Sequence, residues 1–245
     1  MASPKQRFEE YEPADEAFHG VAPSVGQGQR SYDLIAAQCG TTAQTLEGYA
    51  KIRRLKPNCK IYQHINNYAT KSSGGVNVGI KNIYKISRRN ERRPFSESYR
   101  MLLWHGTKPG NVPGIIQTGF RPGSGGLFGG GIYFADRIGK SLGYTGKTGS
   151  NVGYLFIAEV NLGKVFKAHH THSNYTSAPP GFHTVKGNGS QIPTWRQNVS
   201  YNGAILPCGE TRQNSRFPSF DLSYSEYIVY DPDRVILRFL VECTW

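Results

Sequence analysis

The sequence has few cysteines and no long apolar run. Its four cysteines, Cys39, Cys59, Cys208 and Cys243, lie far apart and none belongs to a CxxC pair. This spacing supports neither a zinc knuckle nor a disulfide framework, and it fits a reducing compartment. No apolar stretch approaches the roughly 18 residues that span a bilayer, and the N-terminus has no apolar signal core. We therefore expect a nuclear or cytoplasmic protein that is not secreted and has no membrane partner.

Acidic residues are also scarce. The 245 residues hold 29 Lys or Arg against 17 Asp or Glu, a net charge of +12. The segment 51–93, called the basic segment below, contains twelve of the cations and a single acid, Glu91. Such a segment can bind nucleic acid or another polyanion, or it can be an ordinary solvated face, and the sequence leaves both readings open.

The first third of the chain predicts a leader followed by helices. Residues 1–30 mix Glu, Pro, Gly and Gln with few apolar residues, which is typical of a disordered leader. Residues 31–75 predict a short helical, basic extension, with one helix from about Thr42 to Arg53 and another over 61–68. KSSGG at 71–75 then predicts a linker or turn.

After this linker the pattern changes to strands. Residues 76–86 alternate between apolar and polar with one slip, which indicates a half-buried strand with a bulge. Further strands are predicted at 101–104, 154–160, 226–231 and 235–241, and a compact helix between Asn111 and Gly119. Residues 119–131 include seven glycines, so we expect a loop whose backbone can approach a ligand closely.

The familiar nucleotide motifs fail on their spacing. GKS at 139–141 and GKT at 146–148 would need a glycine at positions 134 and 141 to be P-loops, and those residues are Phe134 and Ser141. The glycine-rich loop also lacks the G-x-G-x-x-G spacing of a Rossmann turn. Nucleotide binding would therefore use another architecture.

Single polar residues are ambiguous on their own. His169, His170 and His172 could suggest a metal, but no acidic or thiol ligand accompanies them, so we expect a solvated loop and no metal. His105 follows a buried strand and could be a core histidine or a functional one. Glu226 could be a solvated carboxylate at the start of a strand or a catalytic one.

Several motifs together resemble one family. LLWHGT (102–107), GGGIYFADRIGKS (129–141), HTVKGNG (183–189) and SEYIVYD (225–231) are similar to the catalytic domain of the poly(ADP-ribose) polymerases. That domain belongs to the diphtheria-toxin-like ADP-ribosyltransferases. The resemblance covers about residues 76–245 in the family's order. It implies an α+β domain of the ADP-ribosyltransferase fold: two packed, mostly antiparallel sheets around an NAD cleft, after a small helical extension.

The resemblance also implies roles at the nicotinamide end of NAD. The family's His-Tyr-Glu triad falls on His105, Tyr133 and Glu226. Tyr133 and Tyr144 would sandwich the nicotinamide ring, while the Gly106 backbone and the Ser141 hydroxyl would hold its carboxamide. These contacts would hold NAD in the bent pose needed to break its nicotinamide–ribose bond.

Further roles concern the riboses. Glu226 would hold the 2′-hydroxyl of the nicotinamide ribose and stabilise the developing positive charge, with Lys140 beside it. His105 and Thr107 would bond the adenosine ribose, and Gly114 and Arg121 would line the adenosine side. No metal is implied. Where many of these polymerases have a tyrosine in the loop beside the adenosine, this chain has Gly126.

The implied function is NAD-dependent ADP-ribosyl transfer to protein acceptors, with elongation to poly(ADP-ribose). The helical stretch before residue 76 is too short for a full autoinhibitory helical domain, so we expect that domain to be absent. Alternatives are a mono-ADP-ribosyltransferase acting on protein or nucleic acid, and a pseudoenzyme or interaction module. The basic segment would bind nucleic acid or poly(ADP-ribose), and Trp245 would contact a partner like the histone PARylation factor.

Overall fold

The computed structural model describes residues 9–11, 25–91, 99–216 and 222–245 of the chain. The helices are α1 (Val25–Cys39), α2 (Ala43–Tyr49), α3 (Lys60–Lys71), α4 (Val112–Thr118) and α5 (Ile138–Leu142). The strands are β1 (Glu9–Tyr11), β2 (Ala50–Arg54), β3 (Gly79–Arg88), β4 (Arg100–Gly106), β5 (Ile132–Ala135), β6 (Gly153–Asn161), β7 (Val165–Ala168), β8 (Thr184–Gly187), β9 (Gln191–Pro193), β10 (Val199–Tyr201), β11 (Ala204–Leu206), β12 (Thr211–Gln213), β13 (Glu226–Val229) and β14 (Val235–Thr244).

Twelve of these strands form one continuous, mostly antiparallel sheet within the described ranges. Its main path runs β2-β3-β14-β6-β4-β5-β13-β8-β7, and β11, β10 and β1 extend from β4. The resemblance implied two packed sheets, whereas β4 and β5 pair here through Trp104 and Ala135 and join the strands on either side into one sheet. β9 and β12 form a small second sheet. The fold is α+β, as predicted.

The central strands are buried on both faces. All nine residues of β6 are buried, and alternate side chains enter different cores. Tyr154, Phe156 and Ala158 point toward α1, α2 and α4, whereas Leu155 and Ile157 point toward α3 and α5. A strand covered on both faces has a nearly continuous apolar sequence, which is why YLFIAEV at 154–160 predicted it correctly. No helix in the described ranges is long and apolar enough to cross a membrane.

The predicted bulge is present in β3. The consecutive residues Glu242 and Cys243 of β14 pair with Asn82 and Ile80, so Lys81 is the extra residue on β3. A bulge shifts the alternation of side chains by one position. This shift explains the slip in the apolar pattern of residues 76–86.

The helix predicted from Thr42 to Arg53 is wrong over its last turn. Thr42 caps α2 as expected, because its Oγ1 accepts a hydrogen bond from the Thr45 amide at 3.1 Å. The helix ends at Tyr49, and residues 50–54 form β2, antiparallel to β3. Ile52 is thereby buried beside Ile86. Pairing with a distant strand has overridden the local helical pattern.

The predicted domain boundaries do not coincide with breaks in packing. Helix α1 begins at Val25, inside the predicted leader 1–30, of which residues 1–8 and 12–24 lie outside the described ranges. Across the boundary at 75/76, the Tyr68 hydroxyl donates to the Leu102 carbonyl at 3.3 Å, and the Ile138 amide donates to Ser72 Oγ at 3.1 Å. Residues 31–75 thus share their cores with 76–245, and the division between them stays a prediction.

Arg137 connects the start of α5 to a distant loop. Its side chain is fully buried and donates hydrogen bonds to the carbonyls of Pro207 and Gly209 and to the Thr211 hydroxyl. Its Nε lies 3.8 Å from the Asp136 carboxylate, which is also fully buried. Because a buried guanidinium needs several acceptors, these contacts fix the position of α5.

We predict that Arg137→Met destabilises the fold strongly. The substitution removes the cation beside the buried Asp136 carboxylate and leaves the Pro207 and Gly209 carbonyls without their donor, so we expect the free energy of unfolding to fall by about 3–5 kcal/mol. Urea denaturation followed by circular dichroism measures the change. The control is Arg196→Met on the exposed surface, which should cost less than about 0.5 kcal/mol. Equal effects of the two substitutions would contradict the role given to Arg137.

Candidate functional site

Strand β13 sets the position of Glu226. The strand lies between β5 and β8, and its first residue, Glu226, pairs with Ala135 on one side and with Gly187 on the other. Two residues further along, Ile228 pairs with Tyr133. Side chains two residues apart on a strand share a face, so Glu226 and Tyr133 lie on the same side of the sheet.

The Glu226 carboxylate is buried and has one charged partner among the residues that the structure describes. Its Oε1 lies 3.0 Å from Nζ of Lys140 on α5, and the residue is 4% exposed. Its Oε2 is buried and accepts no hydrogen bond from the residues that the structure describes. Burying a carboxylate oxygen without a hydrogen-bond donor costs free energy, so Oε2 is suited to accept a hydrogen bond from a ligand hydroxyl.

His105 is held in one orientation by β5. Its Nδ1 lies 2.9 Å from the Tyr133 carbonyl, which can only accept, so Nδ1 carries the proton. Burial lowers the pKa of His105 below its ordinary value, and the hydrogen bond to Tyr133 opposes this only in part. The neutral ring therefore presents Nε2 as an acceptor.

The Tyr133 side chain is fixed by the glycine-rich loop. Its hydroxyl donates to the Gly129 carbonyl at 2.7 Å and accepts from the Phe128 amide at 2.9 Å. Burial is the main cause that raises the pKa of Tyr133, and the nearby Glu226 and Tyr144 raise it further. The phenol stays protonated at neutral pH, and its ring has a fixed position.

Gly106 and Ser141 are brought together at the end of β4. A Cβ on residue 106 would lie 2.7 Å from the Thr145 hydroxyl oxygen and would overlap the Ser141 carbonyl, so only glycine fits. The Ser141 hydroxyl forms no hydrogen bond with any described residue. Tyr144 follows α5 with 61% of its side chain exposed, and its ring lies 6.0 Å from Lys140 Nζ.

The residues predicted for the adenosine side of NAD are less closely connected to the triad. Thr107 is buried, and its hydroxyl accepts a hydrogen bond from Asn111 Nδ2 at 3.2 Å. Gly114 on α4 and Arg121 in the following loop are exposed. Within the described ranges, neither forms a hydrogen bond or an ion pair with the triad. The structure therefore links the triad, Lys140, Gly106, Ser141 and Tyr144 by contacts, whereas the roles of Gly114 and Arg121 stay predictions.

One aromatic support of the site, Phe120, was not predicted from the sequence. Phe120 packs edge-on against the His105 ring, with centroids 4.8 Å apart, and also against Phe134 and Phe156. The only sequence signal for Phe120 is its position as an apolar residue at the start of a polar, glycine-rich loop. Such a signal indicates burial but does not identify the contacting ring.

The remaining predicted features lie away from this site. His172 stacks on Tyr175, with ring centroids 4.8 Å apart. No group of three or more His, Cys, Asp or Glu that could hold a metal ion occurs in the described part of the chain. The Trp245 ring lies 4.7 Å from Lys147 Nζ and is partly buried, and its role as a partner contact stays a prediction.

Two arginines of the basic segment have internal partners. Arg88 donates to the carbonyls of Ile116 and Gln117 and pairs with Glu91, and Arg89 donates to the Glu47 carbonyl. These two side chains connect the end of β3 to α4 and α2. They contribute less to an external anion site than the sequence suggested.

Comparison with known proteins identifies the family of this chain. The family model for the poly(ADP-ribose) polymerase catalytic domain matches residues 60–245. The chain belongs to this family. The match begins at residue 60, before the start that the motifs predicted at residue 76, and includes α3. The resemblance to this family that the four motifs indicated is therefore confirmed.

Relatives in the same family are similar over most of this chain. It is 36% identical over 193 residues to poly [ADP-ribose] polymerase 1 of Danio rerio, which covers 74% of this chain and 19% of the relative. It is 32% identical over 194 residues to poly [ADP-ribose] polymerase 2 of Arabidopsis thaliana, covering 74% and 30%. For poly [ADP-ribose] polymerase 2 of Homo sapiens the identity is 31% over 193 residues, covering 74% and 33%. The chain thus spans between a fifth and a third of these relatives.

We predict that His105 is neutral at pH 6.5, where an ordinary imidazole is half protonated. Two-dimensional 15N NMR should show a protonated Nδ1 and an unprotonated Nε2, with His105→Gln identifying the signals. As pH falls, His105 takes up a proton at a higher pH in the unfolded chain than in the folded one. The lowered pKa of His105 therefore makes the fold less stable as pH falls below 6.5. A His105 signal that titrates at or above pH 6.5 would contradict the prediction.

Proposed function

We propose that this protein transfers ADP-ribose from NAD to protein acceptors. The observation that carries the proposal is the state of Glu226. Its carboxylate is buried beside the cation of Lys140, and its Oε2 has no donor among the described residues. A carboxylate in this state can bind a ribose hydroxyl and stabilise positive charge that develops next to it.

The surrounding groups fit the two ends of NAD. The rings of Tyr133 and Tyr144 and the polar groups of Gly106 and Ser141 suit a flat aromatic amide such as nicotinamide. His105 Nε2, as an acceptor, suits a ribose hydroxyl on the adenosine side. These assignments extend the family's roles to residues whose positions are compatible with them.

The chain's residues would divide the chemistry between them. Bound NAD supplies the nicotinamide leaving group and the ribose carbon to which the acceptor becomes attached. Glu226 lies on β13 with a fixed backbone, so it can stabilise positive charge on the ribose without first reorganising. Its free oxygen can also orient an attacking hydroxyl group. Lys140 offsets the cost of burying this carboxylate, so its role is to position and support Glu226.

Polymer formation is the finer part of the proposal. Within the resembled family, loss of the glutamate tends to separate mono-transferases from enzymes that form chains. Glu226 is present here, and the relatives named above are polymerases by name. We therefore propose elongation to poly(ADP-ribose). Mono-ADP-ribosylation of protein or nucleic acid is the alternative, and a pseudoenzyme that binds NAD without turnover is the alternative from another class.

We predict that Glu226→Gln lowers kcat/KM for transfer from labelled NAD at least about 100-fold, because it removes charge stabilisation made mainly in the transition state. Polymer should disappear, while single units stay detectable on a gel. The matched control is Glu210→Gln, at an exposed glutamate paired with Lys71 at the surface, and it should retain full activity.

The outcomes separate the alternatives. Polymer from the unmodified protein supports elongation, and single units alone support the mono-transferase. If neither the unmodified protein nor Glu226→Gln turns over NAD, although both still bind it, the pseudoenzyme alternative is supported. Equal reductions in Glu226→Gln and Glu210→Gln would contradict the role proposed for Glu226.

We also propose that the basic segment binds nucleic acid or poly(ADP-ribose). The observation in favour is that Arg54, Lys56 and Lys81 are exposed close together at the ends of β2 and β3. Arg54 lies 3.5 Å from Asn82, the residue next to Lys81. No carboxylate of the described residues pairs with any of the three.

We predict that replacing Arg54, Lys56 and Lys81 together by Gln weakens binding to a DNA duplex. It should also reduce the slope of log K against log salt by about 0.9 for each phosphate that the variant no longer neutralises. Fluorescence anisotropy over a salt series measures both quantities, with RNA and poly(ADP-ribose) as further probes. The control replaces Lys108, Lys164 and Arg196, which are also exposed, and has the same net charge. Binding that does not depend on salt, or an equal weakening in both variants, would count against the proposal.

A further inference from the structure

A second concave site lies on the far face of the sheet from Glu226. A cavity of about 550 Å³ opens beside β7, β8 and β12, and Lys167, Lys186, Arg212 and Arg216 line it together with the rings of Tyr99 and Trp195. Its volume falls within the range of small-molecule sites in proteins. Its lining includes none of the residues assigned to NAD binding.

The strand register shows that the two sites face opposite ways. Lys186 of β8 pairs with Tyr227 of β13 and with Lys167 of β7, so these three side chains share one face. Tyr227 directly follows Glu226, and consecutive residues of a strand point to opposite faces. The cavity therefore lies behind the strand that carries the Glu226 carboxylate.

The charge of this cavity is unbalanced. Its lining, all within the described ranges, includes four cationic side chains and no carboxylate. Lys186 forms neither a hydrogen bond nor an ion pair with the described residues, and its Nζ lies over the rings of Tyr227 at 4.8 Å and Trp195 at 5.8 Å. The acid that acts on it most is Asp136, whose Oδ2 accepts the Tyr227 hydroxyl at 3.1 Å.

The other three cations leave the cavity mouth accessible. Lys167, Arg212 and Arg216 are exposed, and Arg212 donates a hydrogen bond to the Gln213 carbonyl at 3.2 Å. Like charges close together in a concave site repel one another and favour a multivalent anion. Arginine pairs well with phosphate oxygens, and the aromatic rings can pack against a base.

We propose that this cavity is a binding site for a nucleoside diphosphate group, separate from the NAD cleft. The pyrophosphate would lie among Lys186, Arg212 and Arg216, and the base would lie against Trp195. Free ADP and a terminal ADP-ribose unit share this chemistry. The proposal does not depend on the catalytic role of Glu226, because it rests on residues of the other face.

The test is equilibrium dialysis of the full chain with labelled ADP in excess nicotinamide. Replacing Arg212 and Arg216 together by Gln should weaken ADP binding at least tenfold, since both are exposed and their removal leaves no buried group unpaired. Lys186→Met should weaken it as well, with circular dichroism confirming that each variant is folded. The matched control is Arg196→Gln, and His105→Gln reports on ADP bound in the NAD cleft instead; neither should change the affinity.

The competitors identify the ligand. Labelled ADP-ribose that binds more tightly than ADP identifies the ADP-ribose unit, and tighter binding of ADP identifies the free nucleotide; both results support the site. Inorganic pyrophosphate should compete, but more weakly than ADP, because it lacks the base. Unchanged ADP affinity after removal of both arginines, loss of binding only in His105→Gln, or pyrophosphate that binds as tightly as ADP would each overturn the proposal.

Discussion

The site depends on burying one carboxylate at the start of a strand beside a lysine side chain. Glu226 can be buried at the start of β13 because Lys140 reaches it from α5, and this pairing ties the sheet to the helix. The same short helix contains Ser141, whose carbonyl leaves room only for a glycine at position 106. Arg137 then holds the beginning of α5 against the loop that contains Gly209. The ion pair, the close approach of Gly106 to Ser141 and the hydrogen bonds of Arg137 together fix the positions of the carboxylate, the helix and the end of β4.

Strands β5, β13 and β8 have two chemically different faces. One face has Tyr133 and Glu226, which form the proposed transfer site. The opposite face has Tyr227 and Lys186, in contact with a charged interior that includes Asp136. Because β13 is only four residues long and is paired on both sides, neither face can shift without moving the other. The two proposed sites therefore share strand β13, which places Glu226 on one face and Tyr227 on the other.

The sequence predicted those parts of the fold that local pattern determines. β6 and β14 were predictable because strands buried on both faces have apolar runs, and α4 because Gly119 ends it. The strand at 50–54 was not, since its partner β3 lies about thirty residues away and local spacing favoured a helix. Motif order named the three triad residues, and their roles stay a prediction. The distances between them could not be read from the sequence, because the register of β13 between β5 and β8 is a long-range property. The packing of Phe120 on His105 could not be predicted for the same reason.

The glycine at position 126 is required by the packing of the loop against Tyr133. A Cβ there would lie 2.6 Å from Cζ of Tyr133, the ring whose hydroxyl binds Gly129 and Phe128 in the same loop. In this arrangement the loop encloses the tyrosine side chain, so a larger residue at 126 would have to move either the loop or the ring. The tyrosine that many of the resembled enzymes have here is therefore incompatible with this packing. The loop predicted to lie beside the adenosine and the ring proposed to contact nicotinamide thus form one packing unit, because the Tyr133 hydroxyl bonds to this loop.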